Sequence, residues 1–287
     1  MNSPVFRTTV SLRPSGVPIA RDESMVLIGS CFADSVGALL VRDGFNACVN
    51  PMGALYNPMS MAAAVSRALR DEPYTKCNLT LRDGIYHCLD YESRRQGSDS
   101  DALLSALNND FGHFSACVRN AGTMILTFGT SWVFSLDETG VTVGNCHKLP
   151  ATEFTRRRVD VDEITSVWVP LLKAVPDKRV ILTVSPVRHL ADGLHGNQLS
   201  KAVLLLAIEK ICALCDNAEY FPSYEIALDD LRDYRFYAED MKHLSPLAVE
   251  YIYSLFGETY FTPLTRRLSE DSRRQARRAG HRNILQS

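Results

Sequence analysis

Three short, largely apolar runs stand out along the chain: MVLIG (25–29), TMILTFG (123–129) and RVILTVSP (179–186). Runs of this length without polar alternation predict strands buried on both faces. Between them lie segments with apolar residues at helical spacing: 32–44, closing at Gly44; 57–71; 102–122, ending at a glycine; 161–175, with an interior Pro170; 199–217; and 245–261. Ser245 suits the helix cap of the last and Pro246 its first helical position. FNACV (45–49) and the start of AEYFPSYEI (218–226) predict two further strands. Residues 77–91 alternate on either side of Asp83-Gly84, and residues 132–146 do so around Glu138 to Gly140, which predicts two hairpins.

Strands alternating with helices predict an α/β fold, a parallel sheet with helices on both faces. The polar hairpins fit as insertions, near 54–122 and 132–146. No repeat or long linker divides the chain, so residues 1–287 are read as a single domain with a basic C-terminal tail over 266–287. Within that tail, 269–283 is expected to be a surface helix or a frayed end rather than a nucleic-acid arm. The 46% hydrophobic and 22% charged residues are those of a folded globular chain. Thirty-one Lys and Arg against 33 Asp and Glu leave a formal charge of −2, which gives no global field toward nucleic acid or an anionic membrane. No apolar run nears the ~18 residues of a spanning helix. The opening segment lacks the apolar core of a signal peptide. Eight scattered cysteines are expected to be reduced thiols in a cytoplasmic protein. Cys212 and Cys215 form a C-x-x-C, but inside an apolar helix, where a core stripe is the expected reading. Glycine-rich nucleotide motifs are absent, so no cofactor is expected.

In a parallel sheet flanked by helices the active site lies beyond the carboxyl ends of the strands. The residues to inspect are therefore Gly29-Ser30-Cys31, Asn50-Pro51-Met52-Gly53, Gly129-Thr130-Ser131 and Ser185-Pro186-Val187-Arg188-His189. Ser30 falls between a strand and a helix, where helix N–H groups face developing negative charge. A hydroxyl needs a base to act as a nucleophile. Asp240 and His243, three residues apart ahead of a capped helix, offer a carboxylate to fix the imidazole and an imidazole to take the proton. Read singly, Ser30 is equally a helix cap and His243 a surface histidine. Cys31 is the rival nucleophile, since a thiol at a helix start can have a lowered pKa. Arg188, His189, His195, Asn197 and Lys201 cluster after the third apolar run, either to bind substrate and brace the base or as a loop held by its own hydrogen bonds. Arg232, Asp233 and Arg235, with their tyrosine neighbours, read as a clamp that shapes the triad loop. Zinc needs three or four convergent ligands, and no paired spacing supplies them around Cys146 and His147, so no metal is expected.

Gly29-Ser30-Cys31-Phe32-Ala33 spells the name motif of the GSCFA family. The resemblance extends to Asn50-Pro51-Met52-Gly53, Tyr56-Asn57-Pro58, Gly129-Thr130-Ser131-Trp132, Asn145-Cys146-His147-Lys148, Ser185 to His189 and Leu231 to Tyr237, covering roughly 25 to 260. That family resembles the SGNH hydrolases, esterases and acyltransferases with a flavodoxin-like three-layer α/β/α fold. The resemblance implies Ser30 as nucleophile and Asp240 and His243 as the rest of a triad. It implies an oxyanion hole from the Ser30 and Gly53 N–H groups and a third donor. Ser131 stands where the superfamily has an asparagine, so that donor is Ser131 or Thr130, or else Asn145 or Asn50 reaching in. The implied activity is hydrolysis or transfer of the acyl group of a small-molecule or glycan ester. Arg188 and His189 are candidates for substrate binding, and neither nucleic acid nor membrane is an expected partner. The alternative, favoured by Ser131 in place of asparagine, is an inactive scaffold of the same fold that binds a ligand or a protein.

Overall fold

The computed structural model describes residues 8–284, with side chains up to residue 275. Much of the opening segment read for a leader, and the last three residues of the basic tail, lie outside the described residues. Five strands form a parallel sheet: β1 (Met25–Gly29), β2 (Ala47–Val49), β6 (Thr123–Phe128), β10 (Arg179–Val184) and β11 (Ala218–Tyr220), in the order β11-β10-β6-β1-β2. The intervening numbers belong to β3 (Thr80–Arg82), β4 (Ile85–His87), β5 (Gln96–Gly97), β7 (Trp132–Leu136), β8 (Thr142–Val143) and β9 (Phe154–Arg158). The central strands pair Met25 with Thr123 and Thr123 with Arg179, so all three end at one level.

Alternation along these strands divides two apolar cores. Val26, Ile28, Met124, Leu126, Val180 and Leu182 face one way, and Met25, Leu27, Ile125 and Ile181 the other. The first face is covered by α2 (Pro58–Leu69), α3 (Ser100–Asn120), α4 (Val161–Lys173) and α5 (Gly193–Leu214). Trp168, fully buried on α4, donates from its indole to the Pro58 carbonyl at 3.0 Å and pins α4 to the start of α2. The second face is covered by α1 (Cys31–Arg42) and α7 (Pro246–Tyr260), with α8 (Pro263–Ile284) after them, while the short α6 (Ser223–Glu225) adds Tyr224 to the first face. The buried Asp43 carboxylate, just past α1, accepts from Tyr253 at 3.0 Å and pairs with Arg273 at 2.7 Å and Arg42 at 2.9 Å. One carboxylate so joins α1, α7 and α8, and each of its partners is needed to offset the cost of burying the charge. The result is the expected α/β architecture, a central parallel sheet between helical layers.

Both expected hairpins form, each as part of a three-stranded antiparallel sheet: β3-β4-β5 and β8-β7-β9. Asp83 and Gly84 both adopt positive φ, as a two-residue turn of primed type requires. Strand β9 was not expected, because FTRRR carries three arginines. It is exposed along Thr155 to Arg158 and, among the described strands, pairs with β7 alone, an edge where charge is tolerated and discourages further pairing. Helix α5 begins six residues before the expected 199. The tail is helical as far as Ile284.

Gly29 ends β1 where the chain passes closest to its neighbour. A Cβ built there would lie 2.5 Å from the Thr127 carbonyl oxygen and 2.6 Å from the Thr127 Cβ. Both belong to the paired strand β6, which cannot swing aside like a flexible side chain. Gly29→Ala is expected to cost ~1–3 kcal/mol through overpacking, read as a lower urea midpoint with an unchanged slope.

Candidate active site

Ser30 caps α1 at the carboxyl end of β1. Its Oγ accepts from the Phe32 N–H at 3.3 Å and donates to the Ser185 Oγ at 2.9 Å. The side chain is enclosed, with the residue 1% exposed. Ser185 follows β10, and its N–H donates to the Phe128 carbonyl, which carries the sheet pairing one step past the strand. The neighbouring loop is equally fixed. Asn50 adopts φ 40° and turns its carboxamide back, accepting from the Gly29 N–H at 2.9 Å and donating to Asp34 at 2.7 Å. Gly53 donates its N–H to the Asn50 carbonyl at 2.8 Å, so in this structure that amide closes a turn.

A buried lysine holds the strand ends beside Ser30. Lys201 on α5 is 1% exposed, and its Nζ donates to the Gly129 and Ser185 carbonyls, each at 2.6 Å. Burial pushes its pKa down to about 7. A neutral amine has two N–H donors, the number this site employs. One residue earlier, Ser200 Oγ gathers the Gly129-Thr130-Ser131 turn. It accepts from the Ser131 N–H at 2.8 Å and from the Ser131 hydroxyl at 3.1 Å, and lies 3.1 Å from the Thr130 hydroxyl. Ser131 is completely buried in this cluster.

Asp240 and His243 occupy a loop closed by the Tyr237–Leu244 bridge. Asp240 Oδ2 meets His243 Nδ1 at 2.6 Å, and Oδ1 accepts from the His243 and Lys242 N–H groups at 3.0 and 2.9 Å. The two backbone amides, then the imidazole, hold the Asp240 carboxyl well below the usual carboxylate range. The pair is open to solvent, its side chains 49% (His243) and 44% (Asp240) exposed. The loop is tied to the end of β10, because the Arg188 N–H donates to the Lys242 carbonyl at 3.1 Å. The Arg188 guanidinium stacks 3.9 Å above Tyr237. Ser185 is only three residues from Arg188, so Ser30 and His243 lie at the same end of the sheet. Among the described residues no hydrogen bond joins them; Ser30 donates to Ser185 instead.

The other singled-out residues separate into two groups. His189 and Asn145 line one cleft of about 390 Å³ with Tyr56, Thr130, Trp132 and Arg156. Among the described residues the His189 Nε2 is buried without a partner, and burial followed by the Lys201 charge pushes its pKa down to about 4. Asn145 accepts from the His147 N–H at 2.8 Å. Arg188 lines a second cleft, with Gln198, Asp229, Arg232, Asp233 and Tyr234. Cys31 is half-buried, and desolvation and Asp34 raise its pKa, so it stays a thiol. His147 faces His87, Nδ1 to Nδ1 at 3.3 Å, and bonds the Tyr91 carbonyl. Asn197 accepts from the His189 N–H, while His195 is exposed. Sequence reasoning singles out Ser185 and Lys201 without these roles and misses Ser200. No spacing rule signals a lysine turned to the strand ends beside a serine.

These features define an α/β protein with a serine at the end of its first parallel strand and an Asp–His pair on a loop at the same end. The chain belongs to the GSCFA family, whose model matches residues 24–256. No curated protein matches it. Among solved structures, a candidate platelet activating factor from Streptococcus pneumonia is similar at 11% identity and a TM-score of 0.40, over 82% of this chain and 84% of that one. At that level the likeness carries no argument about activity.

Unfolded, Lys201 keeps its proton up to ~10.4; folded, it releases it near about 7. Between those values the unfolded chain binds more protons, so this group makes stability rise with pH. The stability of the wild type minus that of Lys201→Met is expected to climb across this window in urea unfolding series. A flat difference would show that Lys201 is not titrating in the fold.

Proposed function

We propose that the protein is a serine-dependent acyl-ester hydrolase or acyltransferase. The observation that carries this reading is the Asp240–His243 contact of 2.6 Å on a loop tied to the segment whose Ser185 touches Ser30. Family membership and the resemblance of its motifs to the SGNH hydrolases support it. In the proposed reaction Ser30 turns from Ser185 toward His243. The neutral imidazole takes the hydroxyl proton as Oγ attacks the acyl carbon, and the ionised Asp240 stabilises the imidazolium. The proton then passes to the departing alcohol. Water or an acceptor hydroxyl attacks the acyl-enzyme, giving its own proton to His243, which passes it to the Ser30 Oγ as the acyl bond breaks. The N-terminus of α1 favours the oxyanion. Gly53 joins as a donor if its turn opens, with Ser131 or Asn145 as the third. A small-molecule or glycan ester would occupy the cleft lined by His189, with Arg188 beside it. No helix among the described residues is long and apolar enough to cross a membrane.

One observation favours a second reading, an inactive binding scaffold: Ser30 is 1% exposed and bonded to Ser185 rather than to His243. A fluorophosphonate probe separates the two. Stoichiometric labelling of the wild type is expected, abolished by Ser30→Ala, slowed ~10²–10⁴-fold by His243→Ala, and retained by Cys31→Ala. A folded wild type that never labels, or labelling that survives Ser30→Ala, would overturn the enzyme reading.

A further inference from the structure

Edge strand β2 and helix α3 meet at three side chains that ligate soft metals. Cys48 is the central residue of β2, and its backbone register opposite Val26 turns it toward α3. His113 and Cys117 lie four residues apart on α3, hence on one helical face. Their candidate ligand atoms all lie within 4.8 Å of one another. His113 Nε2 is 3.7 Å from the Cys48 Sγ and 3.7 Å from the Cys117 Sγ.

These separations have the dimensions of a coordination shell. With zinc–sulfur bonds of ~2.3 Å and zinc–nitrogen bonds of ~2.0 Å at tetrahedral angles, nitrogen and sulfur ligands sit about 3.5 Å apart. Among the described residues, none of the three side chains has a hydrogen-bond partner outside the trio. Both cysteines are half-buried and His113 is exposed. The C-x-x-C pair offers no such site: Cys215 bonds the Val169 carbonyl at 3.8 Å, and among the described residues no third ligand joins the pair.

We propose that Cys48, His113 and Cys117 form a site for a thiophilic divalent ion of the zinc class, with three protein ligands and a fourth position open to water. On binding, both thiols release their protons to solvent. Two thiolates and a neutral imidazole then balance the ion's two charges. The ion would staple the short edge strand to α3. Cys48 precedes by two residues the Asn50 that holds the Gly29 N–H, so the staple also steadies the strand leading to Ser30. The proposal does not depend on the acyl-transfer reading.

Cobalt is the probe. The full-length chain, reduced and freed of metal with a chelator, is titrated with Co²⁺. One equivalent is expected to produce a thiolate charge-transfer band and the intense visible bands of tetrahedral cobalt, both erased by Zn²⁺. His113→Ala, at an exposed position, and Cys117→Ser are expected to weaken binding by more than the ~10–100-fold of an outer-shell change. Cys212→Ser should leave it unchanged, and circular dichroism confirms that each variant is folded. Absence of the thiolate band at one equivalent would overturn the site, as would its survival in both ligand variants. A Cys48–Cys117 disulfide that forms in air even with zinc present would overturn it too.

Discussion

The Nζ of Lys201, held between two carbonyl oxygens at 2.6 Å, is the contact on which this end of the molecule depends. Parallel strands end with carbonyls that have no further strand partner, and a buried carbonyl without a donor costs ~1–3 kcal/mol. Gly129 and Ser185 are two such ends, side by side just past β6 and β10. A side chain that reaches both must arrive from the helical layer, carry two donors and be long. Lys201 on α5 meets all three demands, and desolvation pushes its pKa down to about 7 in the process. With Gly129 and Ser185 fixed, the Ser185 hydroxyl is placed to accept from Ser30, and Ser200 next door organises the turn that follows Gly129.

The sequence was most legible where burial is symmetrical. β1, β6 and β10 lie between two helical layers, so both of their faces are largely apolar and periodicity alone reveals them. β9 was not legible, because Arg156, Arg157 and Arg158 sit on an exposed edge where backbone pairing with β7, not side-chain burial, makes the strand. The candidate site divides in the same way. Ser30, Asp240 and His243 are local signals, a strand–helix turn and a three-residue spacing within a capped loop. Ser185, Lys201 and the trio of Cys48, His113 and Cys117 are nonlocal. Cys48 and His113 are 65 residues apart, and only the packing of β2 on α3 brings them together.

Gly53 and Ser131 show how a motif can name a residue without fixing its role. Each lies in the loop that the motif marks, yet Gly53 donates within its own turn and Ser131 donates into the Ser200 cluster. Asn50 has the role that sequence could not assign. Its side chain satisfies the N–H of the glycine that precedes Ser30, and it adopts a positive φ to do so. Short polar side chains tolerate that region and can replace a missing backbone partner. The turn at Ser30 is thus shaped by a carboxamide from the neighbouring strand's loop.

The site therefore consists of a rigid half and an exposed half. Ser30, Ser185 and Lys201 are enclosed and linked through Ser185, whereas Asp240 and His243 stand on a solvent-facing loop that includes Met241 at φ 57°. Under the proposed reaction the nucleophile and its base meet only when these halves close the remaining gap. The Arg188–Lys242 bond fixes where the loop is attached, and because it is a backbone bond it is indifferent to the side chain at 188. The guanidinium stacked at 3.9 Å on Tyr237 is not indifferent, and it braces the strand-like stem that leads into Asp240. Attachment and orientation of the loop are thereby assigned to different atoms of one residue. A change of the Arg188 side chain would alter how the stem presents His243 while leaving the loop tethered to the sheet.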